Sequence, residues 1–177
     1  MAAPGVPIDV DPETGVWRTD GLPMLYVPRH FFVNNHRAVE TALGVEPYRA
    51  VLAASCEESA RYWCEKNAQH HSLAPAATFH HYLNRLSQRG WGRFTTELLD
   101  PDRGIANVRV EQSAFAIEYG AGAGRRVCYM FEGFLSGAFR YLLSATGRSG
   151  EPVCSETACA ADGHPHCAFE VTCRKLS

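Results

Sequence analysis

Apolar positions along the chain fall first into helical intervals, then into strand alternation, then into a further helix and a hairpin. Between residues 29 and 43, Phe32, His36, Val39 and Leu43 recur at helical spacing, and Gly44 supplies a stop. The pattern resumes over 46–69, where Tyr48, Val51, Leu52, Cys56, Ala60, Trp63 and Cys64 share one predicted face. A third helix is predicted over 76–89, with Phe79, Tyr82, Leu83 and Leu86 inward and Gly90 ending it. These stripes read as core, and Cys56 and Cys64 within them read as small buried hydrophobes.

The texture then changes. Residues 91–99 favour strand, 100–104 (Asp-Pro-Asp-Arg-Gly) form a turn, and alternation resumes over 105–119 through Val108, Val110, Phe115 and Ile117. Residues 120–124 alternate Gly with Ala and predict a flexible connector. They suggest a phosphate loop only superficially, because no Lys-Ser/Thr follows them. A strongly apolar helix is expected over 125–144, where Gly133, Ser136 and Gly137 would let another element approach closely. Residues 153–161 and 167–172 predict a hairpin around Gly163 and Pro165. At the other end, residues 1–22 read as an extended arm, followed by a short strand over 24–27. The sum is α+β, an antiparallel sheet packed with helices, with 23–177 as a single domain after the arm.

Bulk properties narrow the function classes. A net charge of −2 and a pI near 6.4 give no electrostatic footprint for nucleic acid or an anionic membrane. No apolar run approaches the roughly 18 residues that would span a bilayer, and the first residues lack the pattern of a secretory signal. A cytoplasmic location is therefore expected, where thiols stay reduced. Seven cysteines, an odd number, also argue against a complete disulfide framework.

Five of those seven lie between Cys128 and Cys173. Glu156, Cys159 and Cys167 stand at E-x2-C-x7-C spacing around a Gly-His-Pro-His turn. Two thiols and a carboxylate converging on one hairpin suit a tetrahedral zinc ion, with Cys128 as the fourth ligand. Glu156 and Cys159 are three apart and cannot share a strand face without a bulge between them. Cys154 competes for a place in the set, and His164 and His166 offer imidazoles beside Cys167. With every ligand from protein, the site would be structural. Iron is the less favoured alternative, since the cysteine spacing matches no ferredoxin pattern.

Three pieces carry a resemblance: 127–139 (V-C-Y-M-F-E-G-F-L-S-G-A-F), 156–159 (E-T-A-C) and 163–169 (G-H-P-H-C-A-F). They resemble the 4-vinyl reductase domain family, which includes the sensor domains of phenol- and xylene-responsive activators. Its fold is related to the NO-signalling and Golgi-transport (TRAPP-like) ligand-binding fold. Carried over by motif, the resemblance implies a structural zinc on Cys128, Glu156, Cys159 and Cys167. It also implies an apolar pocket between helices and sheet, with Trp91, Phe94, Phe115, Tyr129, Phe131 and Phe134 as candidate walls, Phe139 and Trp63 close by, and His80 as a polar contact beside His81 and Arg93.

The expected function is binding of a small apolar or aromatic molecule by a stand-alone sensor, carrier or accessory protein. The sequence holds no helix-turn-helix and no ATPase domain that would make it an activator by itself. The alternative is a metal-dependent or redox enzyme, or its accessory subunit. No nicotinamide or flavin fingerprint and no nucleophile–base pairing supports it. A homodimer through the first two helices is expected from the family.

Overall fold

The computed structural model describes residues 5–174. Residues 1–4 of the expected arm and 175–177 of the expected domain lie outside the described residues.

The segment read as an arm is folded. Strands β1 (Asp9–Val10), β2 (Trp17–Thr19) and β3 (Leu22–Met24) form a three-stranded antiparallel sheet in that order. Asp20 and Gly21, at φ of 51° and 75°, make the two-residue mirror-image turn that suits the natural twist of paired strands. Asp-Gly is a hairpin signal in the sequence, and it moves the expected strand at 24–27 upstream to Leu22–Met24.

Three helices follow close to their predicted limits: α1 (Arg29–Leu43), α2 (Val45–His71) and α3 (Pro75–Gln88). On α2, Cys56, Ala60, Trp63 and Cys64 are buried as the pattern requires, but Val51 faces outward at 61% exposure.

Strand β4 (Arg93–Asp100) pairs with β5 (Ile105–Glu111) across the predicted turn. There the expected long strand ends, because Gln112 takes a positive φ of 54° and Ser113 caps a short helix, α4 (Ala114–Tyr119). The Ser113 hydroxyl accepts the Ala116 amide, which satisfies one of the free N–H groups at a helix start. Phe115 and Ile117 alternate in sequence, but they do so on one and a half turns of helix.

The apolar helix α5 begins at Met130, five residues later than expected, and runs to Ala145. Strands β6 (Glu151–Ala158) and β7 (Cys167–Arg174) complete a four-stranded antiparallel sheet of order β4-β5-β7-β6. The inward face of that sheet carries Ala106, Val108, Val110, Phe169 and Val171.

Helix α5 lies between this sheet and α2, buried at every position from Met130 to Phe139. The small residues make that sandwich possible. A Cβ on Gly133 would stand 2.7 Å from the Ala53 carbonyl oxygen, and one on Gly137 would stand 2.1 Å from that of Glu57. The fold is thus α+β as read from the sequence.

Candidate functional site

Two features stand out: a sulfur-rich cluster at one edge of the sheet, and a cavity among the helices.

Cys128 precedes α5, Glu156 lies on β6, Cys159 follows that strand, and Cys167 opens β7. Their four donor atoms lie within 4.8 Å of one another, and all four residues are buried. The β6–β7 ladder slips between Glu156 and Ala158, the irregularity that a three-residue spacing needs to bring both donors to one side. The Sγ–Sγ separations are 3.9 Å (Cys128–Cys159), 3.6 Å (Cys128–Cys167) and 3.9 Å (Cys159–Cys167). Zinc–thiolate bonds of about 2.3 Å in a tetrahedron set sulfurs about 3.8 Å apart, so the spacing fits a common metal ion. It is far from a disulfide at about 2.05 Å.

Glu156 supports the same fit. Its Oε2 accepts the Cys128 amide at 3.0 Å, while its buried Oε1 has no partner among the described residues. A buried carboxylate oxygen left unpaired is costly, and a cation would satisfy it.

The electrostatics agree. Burial lifts the Glu156 carboxyl well above the usual carboxylate range. Hydrogen bonds from Cys128 and Cys167 pull the Cys159 thiol far below the usual thiol range, while the bond to Cys159 raises Cys128. Four acids packed in one dry site cannot all ionise without a positive charge among them.

The ligands are themselves held. Ser113 Oγ lies 3.0 Å from Cys128 Sγ, and the Ala160 amide donates to Cys167 Sγ at 3.4 Å. The Glu156 amide donates to Glu132, which also receives two bonds from Arg49 at 2.9 and 2.6 Å. Such outer partners orient metal ligands. Cys154 is buried apart from the cluster, with its amide on Ser136 Oγ, while His164 is exposed and His166 half-buried outside it.

The cavity, about 560 Å³, is walled by the N-terminal sheet, the segment before α1, helices α1 to α3, α4 and Phe134 of α5. Trp17, Trp63 and Trp91, all three tryptophans of the chain, line it. Its location corrects the expectation of a pocket between helices and sheet, since no residue of the four-stranded sheet is in its wall. Aromatic rings fill that interface instead: Phe131 packs on Phe94 at 5.1 Å, Phe115 at 5.4 Å and Phe169 at 6.0 Å between ring centroids.

Of the candidate wall residues, Trp91, Phe115 and Phe134 line the cavity, and Phe94 and Phe131 pack in the core outside its lining. Tyr129 is turned away, its hydroxyl donating to Glu40 at 2.8 Å beside the buried His36. His80 is exposed, with its ring nitrogen 3.3 Å from Thr96 Oγ1. The sequence reading misses Trp17, Phe32, Tyr82 and Arg89 as lining residues, largely because it makes the N-terminal segment an arm rather than a wall. That wall is pinned by Asp20, whose carboxylate receives Arg85 Nε and Nη2 at 2.8 Å each and lies 3.0 Å from His71 Nε2.

The family described as "Domain of unknown function (DUF5943)" matches residues 2–97. The chain belongs to that family. The matched region holds the N-terminal sheet and helices α1 to α3, most of the cavity wall, and none of the cysteine cluster. No curated protein matches the chain in sequence.

Among solved structures, the phenol-responsive sensory domain of the transcription activator PoxR, solved with phenol, is similar. Its TM-score is 0.78 at 16% identity, over 94% of this chain and 84% of that one. A trafficking protein particle complex subunit 3 from Naegleria fowleri, covalently bound to palmitic acid, gives 0.53 at 10% identity, over 83% and 95%. At these identities the likeness is one of fold.

Proposed function

We propose that this chain is a small-molecule-binding domain of the sensor type, related to the 4-vinyl reductase domains, and that it takes up a mostly apolar aromatic compound. It acts as a sensor, carrier or accessory protein. The cavity carries this conclusion: its volume falls in the range of roughly 300–1,000 Å³ used for small ligands, and aromatic and aliphatic side chains make up most of its wall. The PoxR sensory domain, alike in fold, was solved with phenol. The N-terminal sheet belongs to the same binding domain as the helices and the four-stranded sheet, because its residues Trp17, Thr19 and Met24 wall the cavity.

Zinc in the Cys128–Glu156–Cys159–Cys167 set serves this domain as a structural clip. Four protein donors leave no open coordination position, and the ion joins the start of α5 to the β6–β7 hairpin. The exposed Phe31, Leu43 and Val51 of α1 and α2 provide an apolar face for a homodimer, which sedimentation would reveal and a monomer would refute.

Since every tryptophan lines the cavity, intrinsic fluorescence reads its occupancy directly. Titration with phenol and with para-butylphenol should give saturable changes, tighter for the larger compound because it fills more of the volume. No saturable response to either would overturn the binding reading. Elemental analysis of protein purified without added metal should find about one zinc per chain. Protein free of metal would overturn the clip, and iron with visible absorbance would favour redox chemistry.

A further inference from the structure

The cavity is apolar along most of its wall but charged at one pole. Among the described residues, Arg29 and Arg89 are its only charged lining residues, and none is Asp or Glu. Arg29 is half-exposed and already paired with Glu118 at 2.8 Å.

Arg89 differs. Its Nε donates to the Arg85 carbonyl at 3.1 Å, and the nearest partner of its Nη1 is the Met24 sulfur at 4.0 Å. No carboxylate stands within ion-pair distance of it among the described residues. The guanidinium lies 5.6 Å from the centroid of the Trp63 ring. Trp63 is only 7% exposed, and its indole N–H has no hydrogen-bond partner among the described residues. Tyr82, ring centroid 5.0 Å from that of Trp63, also lines the wall there. A cation drawn largely out of water with no counter-charge is unfavourable, and an anionic occupant of the cavity would supply one.

We propose that the occupant is an amphipathic carboxylate. Its apolar body lies against the tryptophans, and its carboxylate is received by Arg89. The inference rests on the cavity being a ligand site. A neutral phenol would leave the Arg89 charge uncompensated.

A matched pair of probes tests it: para-butylbenzoate and para-butylbenzyl alcohol, each titrated by tryptophan fluorescence at neutral pH. The acid should bind about tenfold to a hundredfold more tightly, the worth of a charge-assisted hydrogen bond. Arg89→Met should abolish that preference, costing the acid far more affinity than the alcohol, with circular dichroism showing that the variant is folded. Arg89→Lys should keep part of it. Equal affinities for the two probes, or a preference that survives Arg89→Met, would overturn the carboxylate assignment while the cavity reading stands. Binding of neither probe would remove both.

Discussion

Replacing Gly137 with alanine puts a single methyl group where the fold has no room. The new Cβ would lie 2.1 Å from the Glu57 carbonyl oxygen, 2.8 Å from its carbon and 2.9 Å from Ala60 Cβ. Ordinary contact begins near 3.4 Å, so α2 and α5 must part by about 1 Å at this layer. The obstructing atoms are helix backbone, which cannot swing aside as a long side chain would. Helix α5 cannot retreat either, because its opposite face is buried against β6 and β7. Overpacking of this kind costs about 1–3 kcal/mol, and the rigid neighbour puts it at the upper end. Alanine's better helix propensity returns about 1 kcal/mol. The net loss is about 2 kcal/mol, which for a domain of this size lowers the melting temperature by roughly 4–8 °C. Thermal and urea unfolding followed by circular dichroism, at matched metal content, would measure it. Gly122→Ala is the control, since nothing lies within 4 Å of a Cβ there. An unchanged or raised melting temperature for Gly137→Ala would refute the close-approach argument and leave propensity alone in charge.

Three further outcomes are expected. His36 is 2% exposed with both ring nitrogens unpartnered among the described residues, and burial pushes its pKa down to about 4 despite the nearby Glu40. Because that lies below the unfolded value near 6.5, the stability it confers is present above pH 6.5 and is lost as pH falls towards 4. Urea midpoints should show about 2 kcal/mol less stability at pH 5 than at pH 7.5 from this residue, and His36→Phe should remove that share of the slope. Asp20→Asn keeps the turn but strips the buried counter-charge from Arg85, at a cost of about 3 kcal/mol. Hydrogen exchange should quicken over β1 to β3, and unchanged protection there would show that the pair does not hold the wall. Cys159→Ser should abolish stoichiometric metal binding and lower the melting temperature by more than about 5 °C, while full zinc content in that variant would refute the four-ligand set.

The parts legible in the sequence are those where one pattern has one meaning. The 3.6-residue stripes of α2 and α3 and the E-x2-C-x7-C spacing largely survive folding because each is local, or is closed by one hairpin. The same is true of Gly133 and Gly137, which promise a close helix approach and deliver it. Helix α1 keeps its stripe only in part: it buries Val33, His36 and Glu40 and leaves the expected Val39 and Leu43 exposed. Where two meanings compete, tertiary context decides. Phe115 and Ile117 alternate as a strand would, but the Ser113 cap and the positive φ at Gln112 turn them into a helix. The segment 1–22, rich in Pro, Gly and Asp, reads as an arm. It folds because Asp20 finds Arg85, a partner 65 residues on that no local pattern announces. The cavity's place is hidden for the same reason. Phe94, Phe131 and Tyr129 are aromatic like Trp91 and Phe134, and composition cannot tell a ring that fills a core from one that walls a void.

The two sites meet at one side chain. Ser113 Oγ contacts the Cys128 sulfur at 3.0 Å and also accepts the Ala116 amide that starts α4. The next two residues, Ala114 and Phe115, line the cavity. With a metal ion in the set the Cys128 sulfur would act as acceptor, so the Ser113 hydroxyl would donate to it while its lone pair caps the helix. The contacts of the cysteine cluster therefore reach beyond the hairpin and the start of α5. Through Ser113 they set where α4 begins and where the Phe115 ring stands. In this way a cluster with no residue in the cavity defines part of the cavity's wall.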